Sequence, residues 1–167
     1  VVAKSLAAFT GLSRAIAERN VHREYQAIAH GEVPVQPYSI DAPIGRDPRV
    51  RVRMAVVPES SGGRAARTDF ELMGSRNDVS ALRCTLHSGR THQIRVHLSA
   101  QGLPLLADGA YGGRPALGLQ RQALHALQLK LLHPITAAPL SFFCRPPADL
   151  AQALEGLGVE LSGQLCK

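Results

Sequence analysis

The chain reads as an α+β domain with a mixed, mainly antiparallel sheet and flanking helices, and three observations point there. β-type segments outnumber helical ones, the helical periodicities are segregated, and no regular βαβ alternation runs through the sequence. With 167 residues, 45% of them hydrophobic, it has enough material for one domain, residues 1–167, with a sizeable core.

Taken in order, Val1-Val2-Ala3-Lys4 reads as a strand that the sequence enters part-way. Ser5 is placed to cap a helix reaching about Asn20, with Leu6, Phe9, Leu12 and Ile16 spaced for one buried stripe. Val21 to His30 alternates like a strand and puts Arg23, Tyr25 and Ala27 on one face. Glu32 to Pro43 holds Pro34, Pro37 and Pro43 and suits a connection or an edge segment. Residues 50 to 57 (VRVRMAVV) begin with strict alternation, which lines Arg49, Arg51 and Arg53 along one strand face and Val50, Val52 and Met54 along the other. Such a basic stripe, which Arg46 extends, reads as a solvated face or as a binding surface for nucleic acid.

Ser60-Ser61-Gly62-Gly63 marks a turn before a strand over 67–73, and residues 79–86 (VSALRCTL) make another. Leu103 to Leu106 reads as a short strand and 109–115 as a loop. Residues 123–132 and 138–143 are further strands divided by His133-Pro134. Pro146, Pro147 and Asp149 introduce a terminal helix bearing Leu150, Leu154 and Leu157.

Composition narrows the function classes. No run approaches the roughly 18 consecutive apolar residues of a membrane span, and the N-terminus has no signal-peptide pattern. Cys84, Cys144 and Cys166 are odd in number and scattered, which suits reduced thiols in a cytoplasmic setting. The 19 basic residues exceed the 13 acidic ones for a net charge of +6, and only Lys4, Lys130 and Lys167 among the basic residues are lysines. Arginine's planar fork matches phosphate and stacks on bases, so the balance suits a nucleic-acid partner, while a coding bias with a solvated surface fits the composition equally well.

The chemistry concentrates at Leu86 to Leu98 (LHSGRTHQIRVHL), a strand-to-helix junction with two arginines and three histidines. Thr91 is placed to cap a helix that begins with His92, Gln93 and Ile94 and stops near Gly102 and Pro104. Arg95 then lies near the positive end of the helix, where a cation is disfavoured by roughly 0.3 to 1 kcal/mol, so it calls for an anionic partner, carboxylate or phosphate. The histidines do not suggest a metal. A five-residue spacing turns each helical side chain by about 140° from the last, so no single element gathers His87, His92 and His97.

Several runs, in order and over nearly the whole chain, together resemble the RluA-type RNA pseudouridine synthases. They are VVAKS, HREYQAIAHG (22–31), DAPIGRDP (41–48), LHSGRTHQIRVHLSAQGLPLLADGAYGG (86–113) and RQALHALQLKLLHP (121–134). The resemblance implies a catalytic domain that isomerises uridine in RNA without metal or organic cofactor. Large-subunit ribosomal RNA is the first substrate it implies and transfer RNA the second. Tyr25 matches the family's tyrosine that packs on the target base and handles its C5 proton, and Arg95 matches the arginine that pairs with the catalytic aspartate. Arg90, His92 and Gln93 belong to the same motif, as phosphate contact and support of the helix start, while Asp108 and Tyr111 match a structural loop. Arg49, Arg51 and Arg53 are the further expected RNA contacts.

One departure matters. The family's aspartate lies in a His-Arg-Leu-Asp-x-x-Thr-Ser-Gly motif just ahead of the segment that VVAKS matches, and this sequence does not contain it. The chain is therefore expected to be the C-terminal part of a catalytic domain, inactive alone, whose parent is the enzyme. The alternative is a non-catalytic RNA-binding module that has lost the aspartate.

Overall fold

A computed structural model describes residues 1–161, so Cys166 lies outside the described residues. Its centre is a six-stranded sheet in the order β2-β5-β6-β1-β7-β8, with every pairing antiparallel. The strands are β1 (His22–His30), β2 (Tyr38–Asp41), β5 (Arg67–Arg76), β6 (Val79–Leu86), β7 (Leu124–Leu132) and β8 (Pro139–Phe143), while β3 (Ile44–Arg46) and β4 (Met54–Val56) form a separate two-stranded ribbon. Three helices accompany them: α1 (Leu6–Ala17), α2 (Gln93–Ala100) and α3 (Ala148–Gly156). None is long and apolar enough to cross a membrane.

Alternation along β1 explains why both faces of the sheet are covered. Ala27 and Ala29 point into one core with Leu82, Cys84 and Phe70, onto which α2 lays Ile94 and Leu98. Ile28 points to the other, packed with Ala81, Leu106 and the α3 residues Leu150 and Leu154. Pairing with β6 on one side and β7 on the other makes β1 a central strand, which holds Arg23 and Tyr25 to a fixed register.

Four expectations need correction. Residues 50–57 are not one strand: 48–53 turn, and only Met54–Val56 pairs with β3. The Asp47 carboxylate accepts the backbone N–H groups of Arg49 and Val50 at 2.8 and 3.1 Å, and this local capture competes with the strand ladder. Arg49, Arg51 and Arg53 therefore do not line a single strand face. Val1 to Ser5 lies in no strand. α1 is capped by Ser5 as its sequence implies, yet none of its residues is buried and Phe9 is 61% exposed; the helix rests on the Pro134 turn at Gly11, with Leu12 half-buried beside it. Leu103 to Leu106 supplies only an isolated bridge from Leu105 to Ala29.

Candidate functional site

The junction after β6 is held by one side chain. Gln93 Oε1 accepts from Ser88 Oγ at 2.8 Å and from the Arg90 backbone N–H at 3.0 Å. Its Nε2 donates to the Arg67 carbonyl and to Thr68 Oγ1, both at 2.9 Å. A buried amide thus closes its own loop and ties the start of α2 to β5. This arrangement displaces the capping role expected of Thr91. The residue before the helix is His92, left-handed at φ 57°, with no side-chain cap. A non-glycine residue held there costs on the order of 1 kcal/mol, which the hydrogen bonds of Gln93 offset.

Each histidine of the junction has its own partner. His87 Nε2 meets Asp69, His92 Nδ1 lies 2.9 Å from Tyr111 Oη, and His97 bridges Thr68 Oγ1 and the Ala42 carbonyl at 2.9 and 3.0 Å. Burial pushes His97 below the usual imidazole range. His92 is lowered as well, by burial first and then by the Arg95 charge. The Met54 N–H donates to Tyr111 Oη at 3.0 Å, and burial with the Arg95 charge favours the neutral His92 ring, whose Nδ1 can accept the tyrosine proton.

The partner that Arg95 calls for is inside the chain. Its Nε and Nη2 donate to the two carboxylate oxygens of Asp108 at 2.8 and 2.7 Å, a bidentate fork. Asp108 is only 3% exposed. Its hydrogen bonds raise the Arg95 guanidinium above its ordinary range. The guanidinium also lies over the Tyr111 ring, 4.7 Å from the centroid. Arg53 approaches the same ring at 5.9 Å, so the 47–53 turn delivers one of its three arginines to this corner. Arg49 and Arg51 remain exposed on that turn, and Arg90 donates through Nε to the Ala65 carbonyl at 3.1 Å.

Tyr25 occupies a second region. It is half-buried on β1, opposite Cys84 on β6 and Ala126 on β7, beside a register shift in the β7 pairing. With Arg23 it lines a cleft of about 420 Å³ whose walls include Ala126, Leu129 and Phe142. No hydrogen bond, ion pair or ring contact joins Tyr25 to Arg95 among the described residues. Sequence reasoning did not single out Asp108 as the arginine's partner. The signal available was an acidic residue set among apolar ones (LLADGAY), which a buried cation can neutralise.

The antiparallel sheet with its flanking helices agrees with the α+β domain that the sequence predicts. Comparison with known proteins gives its class. The profile described as RNA pseudouridylate synthase matches residues 1–100. A protein of Chloroflexus aurantiacus named "Uncharacterized RNA pseudouridine synthase" is 48% identical over 140 residues, 83% of this chain and 43% of that protein. "Ribosomal large subunit pseudouridine synthase D" of Vibrio parahaemolyticus is 41% identical over 170 residues, 94% of this chain and 51% of that protein. The chain thus spans about half the length of the curated relatives it matches. Among solved structures, Human RNA Pseudouridylate Synthase Domain Containing 1 superposes with a TM-score of 0.71 at 25% identity, over 95% of this chain and 74% of that one. The chain belongs to the RNA pseudouridine synthase family, in its RluA type.

Proposed function

We propose that the full-length protein isomerises specific uridines of RNA to pseudouridine, with large-subunit ribosomal RNA as its substrate and transfer RNA as the other class to test. The observation that carries this reading is the 41% identity, over 94% of the chain, to a protein named for the large ribosomal subunit. The reaction breaks the N1–C1′ bond, rotates the base, forms C5–C1′, and exchanges the C5 proton for one on N1. It needs a flipped base, a nucleophile and a proton acceptor, and calls on neither metal nor organic cofactor. Such RNA is met in the cytoplasm.

Tyr25 serves the base, stacking on it and taking part in removal of the C5 proton. Arg95 orients the nucleophilic aspartate, which the family's pattern puts in a segment ahead of Val1. A guanidinium carries five N–H groups, and Asp108 occupies two of those on Arg95, so Nη1 keeps its donors for a second carboxylate. Asp108 is then a positioning residue. With both oxygens held and 3% exposure it is a poor nucleophile. Arg53, Arg90 and the exposed Arg49 and Arg51 make up the RNA-facing basic rim, His92 adds an uncharged polar contact beside it, and Gln93 holds that rim in place.

The test is release of tritium from C5-labelled uridine in ribosomal or transfer RNA. Full-length protein is expected to release it, and the 167-residue chain alone to release none. Binding without release by the full-length protein would favour the non-catalytic module. Release by the 167-residue chain would show that the nucleophile lies within it.

A further inference from the structure

One turn supplies both groups that hold Arg95. Asp108 precedes the short 3-10 turn Gly109–Tyr111 and grips the guanidinium, while the Tyr111 ring lies under it, 4.7 Å from the guanidinium carbon to the ring centroid. The turn is fixed on either side of Tyr111. Its N–H donates to the Asp108 carbonyl at 2.9 Å, and its carbonyl accepts from Ser99 Oγ of α2 at 2.9 Å. Tyr111 is 9% exposed and packs with Ile44 and Val96. A phenylalanine would fill that space, so packing does not account for the hydroxyl.

The hydroxyl has its partners on two other elements. It accepts the Met54 N–H of β4 at 3.0 Å and lies 2.9 Å from His92 Nδ1 at the start of α2. The Met54 N–H belongs to the peptide that joins Arg53 to Met54. The carbonyl of that same peptide accepts the Asp47 N–H at 3.1 Å, which closes the 47–53 turn. A peptide group is planar, so a hydrogen bond at each end fixes its orientation and with it the backbone at Arg53. The Arg53 guanidinium in turn reaches the Tyr111 ring at 5.9 Å. A single side chain therefore meets, through different atoms, the arginine assigned to RNA and the arginine assigned to the aspartate.

We propose that Tyr111 is a positioning residue for uridine isomerisation, whose hydroxyl holds Arg53 and the 47–53 turn where they meet RNA while its ring holds the Arg95 guanidinium against Asp108. This rests on the proposed action on RNA. The hydroxyl then acts on RNA binding and the ring on the chemical step, so the register between bound RNA and nucleophile is set by a group that touches neither.

The experiment measures tritium release and RNA affinity of the full-length protein, together with thermal melting. Tyr111→Phe keeps the ring and is expected to raise KM and the RNA Kd about five-fold, the share of one hydrogen bond, while lowering kcat much less. Arg53→Gln weakens binding by itself and should add little in the Tyr111→Phe background, because the hydroxyl acts through Arg53. Tyr111→Leu removes the ring as well and should lower kcat about tenfold or more, a loss that Tyr111→Phe restores. A tyrosine that only fills the core would behave otherwise. Both variants would then lose activity in step with melting temperature at unchanged KM, or the effects of Tyr111→Phe and Arg53→Gln on affinity would simply multiply, and either result overturns the proposal. If Tyr111→Leu does not fold, the cycle of Tyr111→Phe with Arg53→Gln decides alone. Tritium release with independent effects defeats only this inference. Coupled effects on affinity without release from any RNA defeat only the enzymatic reading.

Discussion

The Arg95 corner and the Tyr25 cleft lie on one domain, yet one is satisfied and the other is not. At the corner, Asp108 is almost fully buried with both oxygens held by Arg95, Tyr111 joins Met54 to His92, and Gln93 ties down the start of α2, while Arg95 Nη1 is not engaged by Asp108. In the cleft, Arg23 has an unmatched edge, and Tyr25 Oη makes no hydrogen bond among the described residues. A closed network fixes geometry before substrate arrives. An open one keeps its free energy for the ligand. On the proposed function, the corner is the rigid part and the cleft the part that recognises.

The largest effect should come from breaking the corner. Asp108→Ala leaves the Arg95 cation mostly buried and unpaired, which costs on the order of 3 kcal/mol. Urea unfolding should show that loss, and Arg23→Gln should show none. If the two variants cost the same, the corner is no more preformed than the cleft.

Tyr25→Phe probes the other side. It keeps the ring and removes a hydroxyl that holds nothing in the fold, so stability should stay within about 0.5 kcal/mol. Turnover by the full-length protein should fall by about 10² or more, the usual share of a positioned proton acceptor. Turnover near wild type would reduce Tyr25 to a stacking platform.

Much of this division was legible in the sequence, and the remainder was not for identifiable reasons. The strand around Tyr25, the β5 and β6 strands and α3 follow from alternation and helical spacing because their faces meet a core, whereas β8, with Phe142 53% exposed, is held by its pairing with β7. The Arg49 to Arg53 stripe misled because one carboxylate, Asp47, bends the chain through two backbone hydrogen bonds, which outweigh alternation at an edge. The α1 stripe shows that spacing specifies a helix without specifying what covers it. Arg95's need for an anion could be read from its place at a helix start. Its partner could not, since Asp108 reaches it only by way of the loop anchored at Leu105.

A smaller effect should appear with pH. The folded pKa of His97 is depressed by burial, so the unfolded state binds the proton more readily. The contribution of His97 is thus complete above about pH 6.5, the unfolded value, and is lost as pH falls through the folded one. Melting curves between pH 7 and 5 should show falling stability that flattens in His97→Gln, where the amide can still bond Thr68 or Ala42. An equally steep fall in that variant would put the titration elsewhere, and the α2 anchor would not be the acid-sensitive part of the corner.

The smallest effect belongs to Arg51, which lies exposed on the 47–53 turn and makes no ion pair among the described residues. Arg51→Gln should leave stability within about 0.5 kcal/mol and weaken RNA binding only at low salt, because an exposed charge acts over a screened distance of about 8 to 10 Å. Arg53, half-buried against the Tyr111 ring, should keep its contribution at salt concentrations where that of Arg51 has vanished. Equal loss from Arg51→Gln and Arg53→Gln at about 150 mM salt would mean that the corner has no privileged anion site and that the RNA is held by the basic rim as a whole.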